Sequence, residues 1–168
     1  MTLRMLMAAL CSLIVMRCGA SQGAGCGSNV GPLRQAPVCV GEQITPEEAI
    51  HRKCKSPDAG SPRLWACGHG EATFLFTVIE GKVTEVRVYY IEAADAVKSR
   101  FEQVLAQCNA ALGLPSSASG TSATWTSGEL QTRLWQAPVK TGTAVTLGVR
   151  DCRSHDCGSA ARWTDLKH

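Results

Sequence analysis

Two runs of strand-forming residues on either side of a single glycine constrain this chain more than any other feature. Thr73 to Glu80 reads TFLFTVIE and Val83 to Ile91 reads VTEVRVYYI, with Gly81 between them. Both runs are rich in β-branched and aromatic residues, which suit a half-buried pleated surface, so they predict a hairpin. A three-residue loop, Glu80-Gly81-Lys82, pairs Ile79 with Val83. It sets Phe74, Phe76 and Val78 on one face with Thr84, Val86, Val88 and Tyr90, and turns Glu85 and Arg87 to the other. A two-residue loop would mix Phe76 with Arg87, because a slip of one residue exchanges the faces of a strand.

A hairpin with one apolar face needs a cover. Val97, Phe101, Val104, Leu105, Cys108 and Leu112 recur at three- and four-residue steps and predict a helix over 94–112. Gly113 and Pro115 end it. Upstream, Thr45-Pro46-Glu47-Glu48 combines a cap, a first-turn proline and a capping-box glutamate, so a short helix runs to about Lys53. Downstream, Trp125 opens another strand region, Leu130, Thr132 and Leu134 alternate with Gln131, Arg133 and Trp135, and Ala144 to Asp151 reads as a last strand. The expected fold class is α+β. It is a two-layer sandwich in which an antiparallel sheet of about four strands (ββαββ) is covered by one long helix, with a short N-terminal helix.

The N-terminus argues for export. Arg4 precedes twelve residues, Met5 to Met16, of which only Ser12 is polar, and Cys18-Gly19-Ala20 follows. Charge, short apolar run and small residues are the layout of a secretory signal. As a helix the run would rise about 18 Å, short of a hydrocarbon core of roughly 30 Å. The expected organisation is a signal peptide over 1–20, a flexible Gly/Ser/Pro-rich leader over 21–40, one disulfide-bearing domain over 41–157 and a loose C-terminal tail over 158–168. Without Arg4 and Arg17 the chain keeps 15 Lys+Arg against 14 Asp+Glu, a net charge of +1. No basic stripe remains, so nucleic acid is not an expected partner.

Seven cysteines follow the signal: Cys26, Cys39, Cys54, Cys67, Cys108, Cys152 and Cys157. In an exported chain they read as a disulfide framework. Six cysteines allow fifteen pairings. Loop length favours a local Cys152–Cys157 bridge, a Cys39–Cys54 staple across the short helix and a Cys67–Cys108 tie from strand to long helix. The seventh, Cys26, follows Ala24-Gly25 as a lipobox cysteine would, and its lipidation would leave an even set and a membrane anchor. Histidines stand near cysteines at His51-x-x-Cys54, Cys67-x-His69 and Cys152-x-x-His155-x-Cys157. Their unlike spacings, with no C-x-x-C, do not match a zinc site, so neither metal nor cofactor is expected.

Candidate chemistry is sparse. There is no nucleophile elbow, P-loop or dinucleotide-binding turn. Gly68-His69-Gly70-Glu71 offers an accessible imidazole beside a carboxylate, and Asp151, His155 and Asp156 a second one. Neither is a convergent set. Trp65, Trp125, Trp135 and Trp163 could line a ligand surface, although their spacing does not bring them together. Residues 73–151, with the hairpin, the helix, the Gly113-Leu114-Pro115 break and the Trp125-led strand, resemble small exported bacterial α+β proteins of unknown function. That resemblance implies an exported domain and carries over no catalytic residue. The expected function is a cell-envelope or secreted binding or accessory domain of unknown ligand, with an envelope protein as the expected kind of partner. The alternative is a small secreted hydrolase or thiol-redox protein using His69, His155 or an unpaired cysteine.

Overall fold

The structure, a computed structural model, describes residues 27–57, 63–155 and 157. Eight antiparallel strands form one open sheet: β1 (Cys54–Lys55), β2 (Leu64–His69), β3 (Ala72–Ile79), β4 (Lys82–Glu92), β5 (Ser117–Ser119), β6 (Ser122–Ser127), β7 (Leu130–Val139) and β8 (Gly142–Asp151). Their order is β1-β2-β3-β4-β8-β7-β6-β5. Two meanders thus meet at β4 and β8, and the helix α2 (Val97–Leu112) makes the connection between them. The class is α+β with one main helix on the sheet, but the sheet has eight strands and not about four. The four expected strands are β3, β4, β7 and β8. β6 holds Trp125, which was expected to open a strand region, whereas β1 has two residues, β5 is Ser-Ala-Ser and wholly exposed, and β2 carries Gly68 near its end. They form by pairing outward in turn, β2 on β3 and β1 on β2 at one edge, β6 on β7 and β5 on β6 at the other.

The hairpin turn is also tighter than expected. Ile79 pairs with Lys82 across the two-residue turn Glu80-Gly81, whose φ values of 51° and 75° are those of the mirror-image turns that match strand twist. The expected facing survives through a bulge. Thr77 pairs with Glu85 and Val78 with Val83, so Thr84 is the extra residue, and Phe76–Val86 and Phe74–Val88 come back into register. One continuous row of partners then crosses the sheet, Cys54–Cys67–Phe74–Val88–Leu147–Leu134–Ala123–Ala118.

That row lies on the face covered by α2. Val97, Phe101, Val104 and Cys108 of the helix are buried in the same cluster as Phe74, Phe76, Val88, Leu134 and Leu147. The short helix α1 (Pro46–His51) has the expected capping box, with Thr45 and Glu48 each bonded to the other's backbone N–H. Residues 30–38, expected within a flexible leader, pack into the core instead. A 3₁₀ turn at Gly31–Gln35 buries Leu33 completely, and Asn29 Nδ2 donates to the Val38 carbonyl at 3.0 Å. Fully burying one such leucine is worth about 1.5–3 kcal/mol, enough to order a Gly/Pro-rich segment against its local composition.

The bridges differ from the loop-length expectation except at Cys152–Cys157, which is present. Cys54 pairs with Cys67, directly opposite it on the neighbouring strand. Cys39 is disulfide-bonded too, to neither Cys54 nor any other described cysteine. Among the described residues Cys108 is the free thiol, and Cys26 lies outside the described residues. The helical stripe points Cys108 into the core beside Gly31.

Candidate functional site

Strand alternation sends every second residue to the face that no described helix covers. On the four central strands that face is a grid. One row of partners is Glu85–Arg150–Gln131, the next Arg87–Gly148–Arg133, and the third Tyr89–Thr146–Trp135. Glu85, Arg87, Arg150, Gln131, Thr146 and Gly148 are buried, while Tyr89, Arg133 and Trp135 are half-buried. An antiparallel sheet can leave one face polar, but it does not require three arginines at strand centres.

The charges are organised. Glu85 accepts from Arg87 Nε, two residues along the same strand. Arg150 donates from Nε and Nη2 to Gln131 Oε1 at 3.2 and 2.7 Å. Gln131 Nε2 donates in turn to the Cys157 carbonyl at 3.1 Å, which ties the disulfide loop to this face. The Arg133 guanidinium stands 5.9 Å from the Trp135 ring centroid, a cation–π arrangement. With Lys55 further out, the face carries four basic residues against Glu85 alone among the described residues, although the whole chain is only +3.

The residues singled out earlier are elsewhere. His69 is exposed where β2 turns into β3. Glu71 in that turn is ion-paired at 3.7 Å with Arg100, which also holds Glu92 at 2.7 Å and lies over the Tyr90 ring. His155 is at the other end of the sheet, with Nε2 3.0 Å from Thr84 Oγ1. Thr84 Oγ1 also donates to the Thr77 carbonyl at 3.4 Å, and Thr84 is only 2% exposed. This is a structural hydrogen bond and not a nucleophile–base pair. The two histidines therefore do not converge. Burial pushes the Cys108 thiol up to about 12, which removes the thiolate that a nucleophile or redox centre needs. Asp156 and Trp163 lie outside the described residues. Trp65 and Trp125 belong to the helix-side core, and Trp135 alone of the described tryptophans is on the grid.

Asp151 does structural work. Its buried carboxylate accepts from the Arg153 guanidinium at 3.1 and 3.0 Å and from the Arg153 backbone N–H at 2.9 Å. The Arg153 side-chain bonds are the largest cause of a pKa held below the ordinary aspartate value, and burial opposes them. A carboxyl depressed in the folded state adds stability above its unfolded pKa, and that stability is lost as pH falls through the folded value. Urea midpoints should therefore drop as pH falls below about 4. Asp151→Asn should remove part of that slope; an unchanged slope would show that the Arg153 contacts do not hold the carboxylate.

Two grooves lie elsewhere on the described surface, the first mainly apolar and the second mainly polar. One, about 360 Å³, is lined by Ile44, Pro46, Trp65, Val78 and Ile79 among others, and one of about 320 Å³ by Leu112, Leu114 and Trp125 among others. Neither brings a nucleophile to a base. Among the described residues no cluster of three or more His, Cys, Asp or Glu could hold a metal ion. No described helix is long and apolar enough to cross a membrane. Comparison with protein-family models, with curated proteins and with solved structures gives no match.

Alternation alone puts Gln131, Arg133 and Trp135 on one side of a strand and Glu85 and Arg87 on the outer side of another. Nothing local revealed that β8 would stand between them.

Proposed function

We propose that this chain is an exported, non-enzymatic binding or accessory domain of the cell envelope or secreted space, and that the sheet face no described helix covers recognises an anionic partner. Arg133, half-buried beside Trp135, and the exposed Lys55 carry the reading as the basic residues of that face within reach of solvent, while Arg87 and Arg150 are buried. Electrostatic complementarity of this kind selects partners and speeds encounter. Export is supported by the N-terminal layout and by disulfides at Cys54–Cys67 and Cys152–Cys157, which persist in oxidising compartments. The likeness to small exported bacterial proteins points the same way, and lipidation at Cys26 would be the one route to a membrane.

Titration with poly-L-glutamate and poly-L-lysine, followed by isothermal calorimetry, tests the surface. Poly-L-glutamate should bind and weaken as salt rises, and Arg133→Glu should lower its affinity at least tenfold. Equal binding of both polymers, or of neither, would defeat the reading. Intact mass of the protein recovered from its own cells tests export, for which a chain beginning at Ser21, or acylated at Cys26, is expected.

A further inference from the structure

Cys39 carries a disulfide whose partner is none of the described cysteines. Cys54 and Cys67 are bonded to each other, as are Cys152 and Cys157, and Cys108 keeps its thiol. The partner is therefore Cys11, Cys18 or Cys26. Cys11 and Cys18 lie in the expected signal over 1–20, so of these three an exported chain keeps Cys26 alone. The described backbone favours the same residue. Asn29 Nδ2 donates to the Val38 carbonyl at 3.0 Å, which sets the start of the 29–38 segment against its end. Cys39 is fixed just beyond. Its N–H donates to Glu42 Oε2 at 2.9 Å, and Arg52 holds both Glu42 at 2.7 Å and the Pro37 carbonyl at 2.6 Å. Cys26 precedes Asn29 by three residues, a reach of up to about 10 Å. A disulfide asks for a Cα separation of only about 5.5–6 Å.

We infer that Cys26 is the disulfide partner of Cys39 and not an acylated N-terminus. Forming the bridge takes one hydrogen from each thiol. The two protons and two electrons pass to an external disulfide, that of a thiol oxidase in the exporting compartment, which becomes a dithiol. One sulfur cannot hold both that bond and the thioether of a lipid anchor. The odd count of seven cysteines then closes as three bridges and the buried Cys108 thiol. The 3₁₀ turn at Gly31–Gln35 lies inside the loop that the bridge closes, so the cross-link holds the buried Leu33 on the core from both sides. The inference rests on the export reading above and selects, of its two N-termini, the unacylated one.

The test is a tryptic map of the protein recovered from its own cells and alkylated in denaturant without reduction. Cleavage after Arg34 and Arg52 places Cys26 and Cys39 in different peptides. Peptides 21–34 and 35–52 should appear as one cross-linked mass that separates on reduction, and Cys108 alone should take the alkylating label. Cys26→Ser should expose a second labelled thiol, at Cys39. The same variant should speed exchange of the Leu33 amide, which donates to the Val30 carbonyl, roughly tenfold while Phe74 and Val88 stay unchanged. If the variant fails to fold, the map of the natural chain still decides. A label on Cys39, or Cys39 cross-linked to Cys18, would overturn the inference. An acylated Cys26 would overturn it and leave export standing. A chain that keeps residues 1–20 yet carries the Cys26–Cys39 bridge would defeat export and uphold the pairing.

Discussion

Replacing Glu85 with alanine should lower the stability of the domain by about 3–5 kcal/mol, the usual result of removing one member of a buried ion pair. Glu85 is 4% exposed and bonded to Arg87, itself 6% exposed, and Arg150 is its cross-strand partner. The loss arises mainly from the charge left behind, because an arginine cannot neutralise itself by releasing a proton. Glu85→Leu with Arg87→Met should therefore recover much of it, since hydrophobic replacement of both partners is often neutral. Urea denaturation of the two single variants and the double variant gives the coupling directly. A loss below 1 kcal/mol in Glu85→Ala would mean that the glutamate does not hold the grid together.

Removing the Cys54–Cys67 bridge as a double serine variant should cost about 3 kcal/mol, the chain-entropy value for a loop of about 15 residues. The bridge closes a separation of 13 residues. It also fastens β1, only two residues long, to the edge of the sheet. Amide protection should fall over Thr45–Lys55 while Phe74 and Val88 keep theirs. The segment before α1 is held separately, by Gly41 N–H to the Val83 carbonyl and Ile44 N–H to the Gly81 carbonyl. Protection lost evenly across β3 and β4 would refute this local account.

Particular residues show how far sequence reading reached. The α2 stripe was legible because a helix closes its hydrogen bonds within itself, so spacing alone names the buried face. The capping box at Thr45 and Glu48 was legible for the same reason, as was the five-residue Cys152–Cys157 separation. The hairpin faces were right and its turn was wrong, because alternation is local whereas the compensating bulge at Thr84 answers to the packing of Phe76 on Val86. Leu33 and Val38 looked like parts of a loose leader because nothing nearby in sequence could bury them.

The sequence by itself determined the α+β class, the main helix with its apolar stripe, the polarity of each long strand, the export signal as an expectation and the scarcity of catalytic motifs. These follow from periods of two and 3.6 residues and from short motifs. Only the tertiary structure decided that eight strands share one sheet, that Cys54 meets Cys67 and that Cys108 stays a thiol. It alone set Arg87, Gly148 and Arg133 in one line, from strands 46 residues apart at β4 and β7. Pairing between distant strands is settled by which faces can be buried together, and no local pattern carries that information.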